Sequence, residues 1–380
     1  MRVYLDNAAT TPLDREVVEE MLPFMLEHFG NPSSIHWHGN KVRAAIEQAR
    51  KRIAATFNTS PSEIFFTSGG TESDNTALRC AIYTYHISHA ITSKLEHHAV
   101  LHTLEELAQR GIIQLSFVAH DEKGNIDLNH LEELLKKQPN SLVSLMHGNN
   151  EIGNLLPIET VGELCRQYGA FFHSDTVQTV GHYRIDLQKI NVHSIVGAPH
   201  KFHGPKGVGF LYVRHDKKIH PFVTGGAQER NMRGGTENVY GIIGMAKAIE
   251  IAYRNLEETT AYIKGLKTYM IERLRQTFED IHFNGMSGDV ENSLYTILNV
   301  SFPPSEANDM LLFNLDIHQI SASGGSACSS GSNVGSHVLA ALPHTAGRGN
   351  IRFSFSKYNT RQEIDYTIAK LVEIFHMQHA

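Results

Sequence analysis

The stretch that decides the fold runs from Ser141 to Asp175: Ser-Leu-Val-Ser-Leu-Met (141–146), His-Gly-Asn-Asn-Glu-Ile-Gly-Asn-Leu-Leu-Pro (147–157), Ile-Glu-Thr-Val-Gly-Glu-Leu-Cys-Arg-Gln-Tyr (158–168) and Gly-Ala-Phe-Phe-His-Ser-Asp (169–175). A short apolar run, a polar loop, a segment of helical apolar spacing and a second apolar run make one strand–helix–strand unit. Strands that return through a helix run parallel, and the helices cover both faces of the sheet they build. Working outward, β-rich runs recur at 63–67, 90–93, 113–118, 193–196 and 208–213, with a further amphipathic helix at 100–109. With the two runs above they predict an α/β chain built on a mostly parallel seven-stranded sheet.

Toward the N-terminus lie a short strand at 3–5, a helix at 17–29 that Asp14 can cap and Gly30 with Pro32 can stop, and a helix at 41–57. Pro23 sits inside the first of these. Toward the C-terminus, one long helical stretch spans 240–278. Strands at 295–301, 319–321 and 351–354 follow, with a helix at 364–375. This change of order predicts a large domain over 15–255. A smaller α/β domain is expected from 1–14 with 256–380, carrying the loop at 321–333.

With 380 residues, 41% hydrophobic, the chain has enough apolar material for a sizeable core. Its net charge of -6 gives no basic face for nucleic acid. The three cysteines, Cys80, Cys165 and Cys328, are far apart. They argue against a disulfide framework or a thiolate zinc cluster and for a reducing compartment. The N-terminal residues lack the apolar stretch of a signal peptide, and no run reaches the length of a membrane span. A soluble, cytoplasmic chain without membrane or nucleic-acid partners is expected.

In parallel α/β sheets ligands bind outside the carboxyl ends of the strands, so the residues just after each run matter most. Thr67-Ser-Gly-Gly-Thr-Glu-Ser-Asp74 follows one run and opens a helix. Its glycines and free N–H groups suit a phosphate, and an ordinary capped turn accounts for it equally well. It lacks the Gly-Lys-Ser/Thr ending of a nucleotide-binding P-loop. Asp175 ends a buried run, where a carboxylate requires a cation or donors, or caps the next helix. Gln178 lies one turn on, toward the same side. Lys201 lies in Gly197-Ala-Pro-His-Lys-Phe-His-Gly204 and is a candidate Schiff-base amine. A phosphate cradle at Gly70 and Thr71, an acid at Asp175 and a lysine at Lys201 are together what a pyridoxal phosphate enzyme requires. Cys328, in Ser321-Ala-Ser-Gly-Gly-Ser-Ala-Cys-Ser-Ser-Gly-Ser-Asn333, is surrounded by Gly, Ser and Ala. Such a setting suits a nucleophile that approaches and leaves a substrate.

In their order, Tyr4-Leu-Asp-Asn-Ala-Ala-Thr-Thr-Pro12, Phe29-Gly-Asn-Pro-Ser-Ser34, Phe66-Thr-Ser-Gly-Gly-Thr-Glu-Ser73, Glu96-His97, Asn149-Asn-Glu-Ile-Gly153, His173-Ser-Asp-Thr-Val-Gln178, His200-Lys201, Arg233-Gly-Gly-Thr236 and Gly325-Ser-Ala-Cys328 extend along nearly the whole chain. On these motifs it resembles the NifS/IscS-like cysteine desulfurases of the long-loop group, class-V aminotransferase relatives among the fold-type I pyridoxal phosphate enzymes. The resemblance implies that Lys201 holds the cofactor and moves the substrate Cα proton, and that Asp175 pairs with the ring nitrogen. It implies that His97 stacks on the ring and shares in proton transfer, with its neighbour His98 a plain helix residue. It further implies Asn150 and Gln178 on the ring hydroxyl, and Gly70, Thr71 and His200 on the phosphate. Thr236 would reach over from a partner subunit, hence a homodimer. Arg352 would clamp the substrate carboxylate. The implied reaction converts L-cysteine to L-alanine, leaves a persulfide on Cys328, and passes sulfur to an acceptor protein for iron–sulfur cluster or thionucleoside assembly.

Two departures from the family pattern bear on the site. Ala198-Pro199 stands where Ser-Gly usually precedes the His-Lys pair, which removes a phosphate-binding hydroxyl. The stretch after Cys328 is unusually rich in glycine and serine. A selenocysteine lyase, another class-V aminotransferase or lyase, and a desulfurase that requires an activator are the neighbouring readings. A metal-binding protein is the reading from another class, given 24 histidines with pairs at His36/His38, His97/His98 and His200/His203. None of those pairs has the spacing of a His-Glu-x-x-His helix or is joined to cysteine pairs, so no metal site is expected.

Overall fold

The computed structural model describes residues 1–324, 335–343 and 347–376. The first part of the chain runs through β1 (Val3–Tyr4), α1 (Arg15–Leu26), α2 (Trp37–Thr56), β2 (Ile64–Thr67), α3 (Gly70–Tyr85), β3 (His89–Thr92), α4 (His98–Gln109) and β4 (Gln114–Phe117). It continues through α5 (Leu128–Lys137), β5 (Leu142–Ser144), α6 (Ile158–Gln167), β6 (Phe171–Asp175), β7 (Ser194–Gly197) and β8 (Gly209–Val213). All seven expected runs form one sheet in the order β2-β8-β7-β6-β5-β3-β4. Both β8 pairings are antiparallel and the other pairings are parallel. Strands β3, β5, β6, β7 and β8 are buried along their whole length: each carries a short apolar run, and polar residues such as His173, Ser174 and Asp175 of β6 are buried with it. One core packs α1, α2 and a later helix over Val239–Arg254 on the sheet, and another packs α3 and α4.

The single helix expected over 240–278 is instead two, α7 (Val239–Arg254) and α8 (Leu256–Thr277). Asn255 breaks it: at φ -112° and ψ 18° it caps α7, while its carbonyl accepts from Thr259 N–H in the next turn. Hydrophobic spacing continues across such a joint, so periodicity alone does not reveal it. Beyond lie β9 (His282–Phe283), β10 (Ile297–Phe302), α9 (Leu311–Ile317), β11 (Ile320–Ser321), α10 (His337–Ala340), β12 (Gly349–Ser354) and α11 (Arg361–His376). Strands β12, β10 and β9 form an antiparallel sheet whose core includes α8 and α11. β1 pairs in parallel with β11, so the N-terminus lies beside the chain that leads toward Cys328.

Candidate active site

The carboxyl ends of β2, β6 and β7 open onto one cavity of about 220 Å³. Gly70, Thr71, His97, Asn150, Asp175, Gln178, His200, Lys201 and Arg352 all line it. Nine of the eleven expected site residues are thereby brought together. Cys328 lies outside the described residues. Thr236 is exposed and does not line the cavity of its own subunit.

Each wall has a local cause. Gly70 is the first residue of α3, whose leading N–H groups face the cavity as an anion site. A Cβ on Gly70 would stand 2.9 Å from Val177 Cγ2, just beyond β6, so a larger residue here would have to displace that side chain. Asp175, at the tip of β6, accepts from Val177 N–H at 2.8 Å. Burial pushes its carboxyl above the usual range, against the pull of that N–H and of Lys201. Both sequence-level accounts of Asp175 therefore apply: it caps the turn after it and still faces the cavity.

Lys201 closes the short 3₁₀ turn Pro199–Lys201 after β7. Its Nζ donates to the carbonyls of Ala8 at 2.7 Å and Ala9 at 2.9 Å, which draws the N-terminal segment over the site. Gln178 Nε2 donates to the same Ala8 carbonyl. His200 Nδ1 hydrogen-bonds with Thr10 Oγ1, and burial beside Lys201 and Lys206 lowers its pKa to about 4.

His97 is the N-cap of α4, where its Nδ1 accepts from Ala99 N–H at 3.1 Å. Burial first, then Lys201 and nearby histidines, lowers its pKa to about 4. It is therefore neutral near pH 7, with the proton on Nε2. His98 does more than occupy a helix. It stacks on His102 one turn on, at 4.4 Å, and its Nε2 meets His337 Nδ1 at 3.0 Å. His337 in turn hydrogen-bonds the Glu96 carbonyl, so α10 is fastened to the start of α4.

Arg352, in the middle of β12, is 1% exposed. Its Nη1 donates to the Asn150 carbonyl and its Nη2 to Asp6 Oδ1. Sequence reading missed Asp6 and also Asp74, which lines the cavity and meets His173 Nε2 at 3.2 Å. Burial, with Asp175 and Glu96 near it, pushes the Asp74 carboxyl well above its usual range. Its place four residues after Gly70, on the same helix face, was the available signal. Asp6 had none, because its partners lie at the far end of the chain.

The cavity fits pyridoxal phosphate. It offers α3 N–H groups for a phosphate at one end and a buried carboxyl that lacks a full counter-charge for a pyridinium nitrogen. The Lys201 amine and the His97 ring complete the fit.

The aminotransferase class-V family model matches residues 3–367. An IscS cysteine desulfurase of Dictyoglomus turgidum is 44% identical over 376 residues, covering 98% of this chain and 94% of that protein. A putative cysteine desulfurase, IscS 1, of Bacillus subtilis is 41% identical over 98% of this chain and 97% of its own length. Among solved structures, a NifS-like protein superposes with a TM-score of 0.91 at 38% identity, covering 99% of this chain and all of that one. SspA in complex with cysteine superposes with a TM-score of 0.80 at 32% identity, over 95% of this chain and all of that one.

Proposed function

The chain belongs to the class-V aminotransferase family of pyridoxal phosphate enzymes, and from that membership and its site we infer that it is a cysteine desulfurase, converting L-cysteine to L-alanine. One observation carries the assignment of roles. Lys201, Asp175, the N-terminus of α3 and Arg352 converge on a single cavity, which supports reading Arg352 as a carboxylate clamp and the α3 N-terminus as a phosphate site.

Pyridoxal phosphate, when bound, supplies the electron sink that lets an amino acid lose its Cα proton. Gly70, Thr71 and His200 would hold its phosphate, Asp175 would pair with its ring nitrogen, and Asn150 with Gln178 would hydrogen-bond its hydroxyl. His97, neutral and held by the Ala99 N–H, would stack on the ring and share in proton transfer. Arg352 orients the substrate by its carboxylate, and Lys201 takes and returns the proton at Cα. The Cys328 thiolate attacks the substrate sulfur. The carbon–sulfur electron pair returns to the carbon skeleton, which leaves as alanine, and the sulfur stays on Cys328 as a persulfide. An acceptor protein of iron–sulfur or thionucleoside assembly takes it from there.

The working unit is a homodimer in which Thr236 of one subunit completes the phosphate site of the other. Phe29, Ile35 and Trp37 support this, being 73%, 90% and 66% exposed around the turn between α1 and α2. The division into a large domain over 15–255 and a small one from 1–14 with 256–380 is supported by their separate cores. We read the chain as cytoplasmic, which the buried free thiols Cys80 and Cys165 support.

The test is alanine formation from L-cysteine with a dithiol present, by the parent protein and by Cys328→Ala. The parent is expected to form alanine, and the variant to bind cofactor normally while losing multiple turnover. Equal turnover by both would remove Cys328 as the nucleophile and favour a lyase.

A further inference from the structure

Arg352 is buried in β12 and lines the cavity. Nη1 is used by the Asn150 carbonyl at 2.8 Å, and one Nη2 hydrogen by Asp6 Oδ1 at 2.9 Å. Nε is buried and has no hydrogen-bond partner among the described residues. Guanidinium donors lie in a fixed planar fork, in which Nε–H and one Nη2 hydrogen run parallel and match a carboxylate. How that fork is turned depends on the two acceptors that hold Nη1 and Nη2, the Asn150 carbonyl and the Asp6 carboxylate.

Asp6 has a second task. Its Oδ1 also accepts from Ser323 Oγ at 2.8 Å. Ser323 and Arg352 exchange backbone hydrogen bonds as well, Arg352 N–H to Ser323 O at 2.6 Å and Ser323 N–H to Arg352 O at 3.3 Å. Ser323 precedes Cys328 by five residues. Asp6 itself cannot drift, because the chain around it is pinned: β1 pairs with β11, and Ser354 N–H donates to Leu5 O at 2.8 Å.

We propose that Asp6 is a positioning residue of the reaction: it aims the carboxylate-binding edge of Arg352 and holds it in one frame with Ser323, on the segment leading to the nucleophile. The inference rests on the desulfurase reading for its substrate and on the hydrogen bonds alone for its geometry. Without Asp6 the guanidinium loses its counter-charge and one of the two hydrogen bonds that hold it, and the substrate carboxylate must finish organising it on binding.

The experiment compares holoenzyme of the parent with Asp6→Asn and Asp6→Ala. It measures kcat and KM for L-cysteine, and dissociation constants for L-alanine and for ethylamine from the change in cofactor absorbance. L-Alanine and ethylamine differ by the carboxylate. Asp6→Ala is expected to raise the L-cysteine KM and the L-alanine dissociation constant about tenfold, the scale of one lost charge-assisted hydrogen bond, with ethylamine binding within about twofold. Asp6→Asn, which keeps the acceptor oxygen and loses the charge, should fall between. A general loosening of the fold would weaken ethylamine by the same factor, and that result overturns the proposal. So does L-alanine affinity within about twofold of the parent in both variants. Should the alanine variant not fold, the asparagine variant alone decides by the same two ratios. If the parent makes no alanine from L-cysteine, the assigned activity fails, while the comparison of L-alanine with ethylamine still judges Asp6.

Discussion

Ala198 places a methyl group on the wall of the cavity, 3.9 Å from where a Cβ on Gly70 would stand. A serine here would aim a hydroxyl at the phosphate end of the site. A hydrogen bond to a charged group contributes about 1.5–3 kcal/mol, so Ala198→Ser should tighten cofactor binding roughly tenfold. Equilibrium release of cofactor by dialysis, followed by absorbance, measures it, and an unchanged dissociation constant refutes the account. At this scale the sequence was readable wherever a residue's role followed from its place at a strand end. Lys201 and Asp175 could be picked out because a carboxylate or amine after a buried run must meet something. Asp6 and the carbonyls of Ala8 and Ala9 could not, because their chemistry depends on what folds against them.

Among the elements, the turn Gln228–Asn231 carries the most evident strain. Glu229, Arg230 and Asn231 all have positive φ, at 44°, 57° and 65°. Three successive side-chain-bearing residues in that region are costly, and something must hold them there. Glu229 does so: it is buried, takes both Arg50 Nη1 and Nη2 at 2.8 Å, and accepts Phe66 N–H at 2.7 Å. Removing one partner of such a pair leaves the other charge buried, at about 3–5 kcal/mol. Glu229→Ala should lower the free energy of urea unfolding by that order, and Glu229→Met with Arg50→Met should recover part of it. A loss below about 1 kcal/mol in the single variant, the scale of an exposed ion pair, would contradict this reading. The strands themselves were legible from the short apolar run each carries, such as Phe171-Phe172 in β6 and Ile195-Val196 in β7. The break at Asn255 was not, because α7 and α8 continue one hydrophobic rhythm across it.

For the molecule as a whole, acid sensitivity follows from its buried histidines. Burial lowers His97, His147, His182, His200 and His203 to about 4, and His173 and His193 to about 3. Below the ordinary histidine value near 6.5 the unfolded chain takes up protons that the folded one refuses, so stability falls as pH drops from about 6.5 toward 4. The raised carboxyls of Asp74, Glu96, Asp175 and Glu237 act in the opposite direction, and four groups of at most one proton each do not offset seven. Each histidine contributes up to about 1.4 kcal/mol per pH unit in that window, so the urea midpoint should fall steeply below pH 6.5. A midpoint that stays level between pH 7 and 5 would refute the prediction. By itself, the sequence determined the α/β class, the seven strands and the residues at their ends, because these depend on side-chain type and on chain direction over a few residues. The tertiary structure decided which of them meet. Arg352 reaches Asn150 across 202 positions and Asp6 across 346, and β8 inserts between β2 and β7. Such contacts arise from packing buried faces against one another, and no local spacing along the chain encodes the partner.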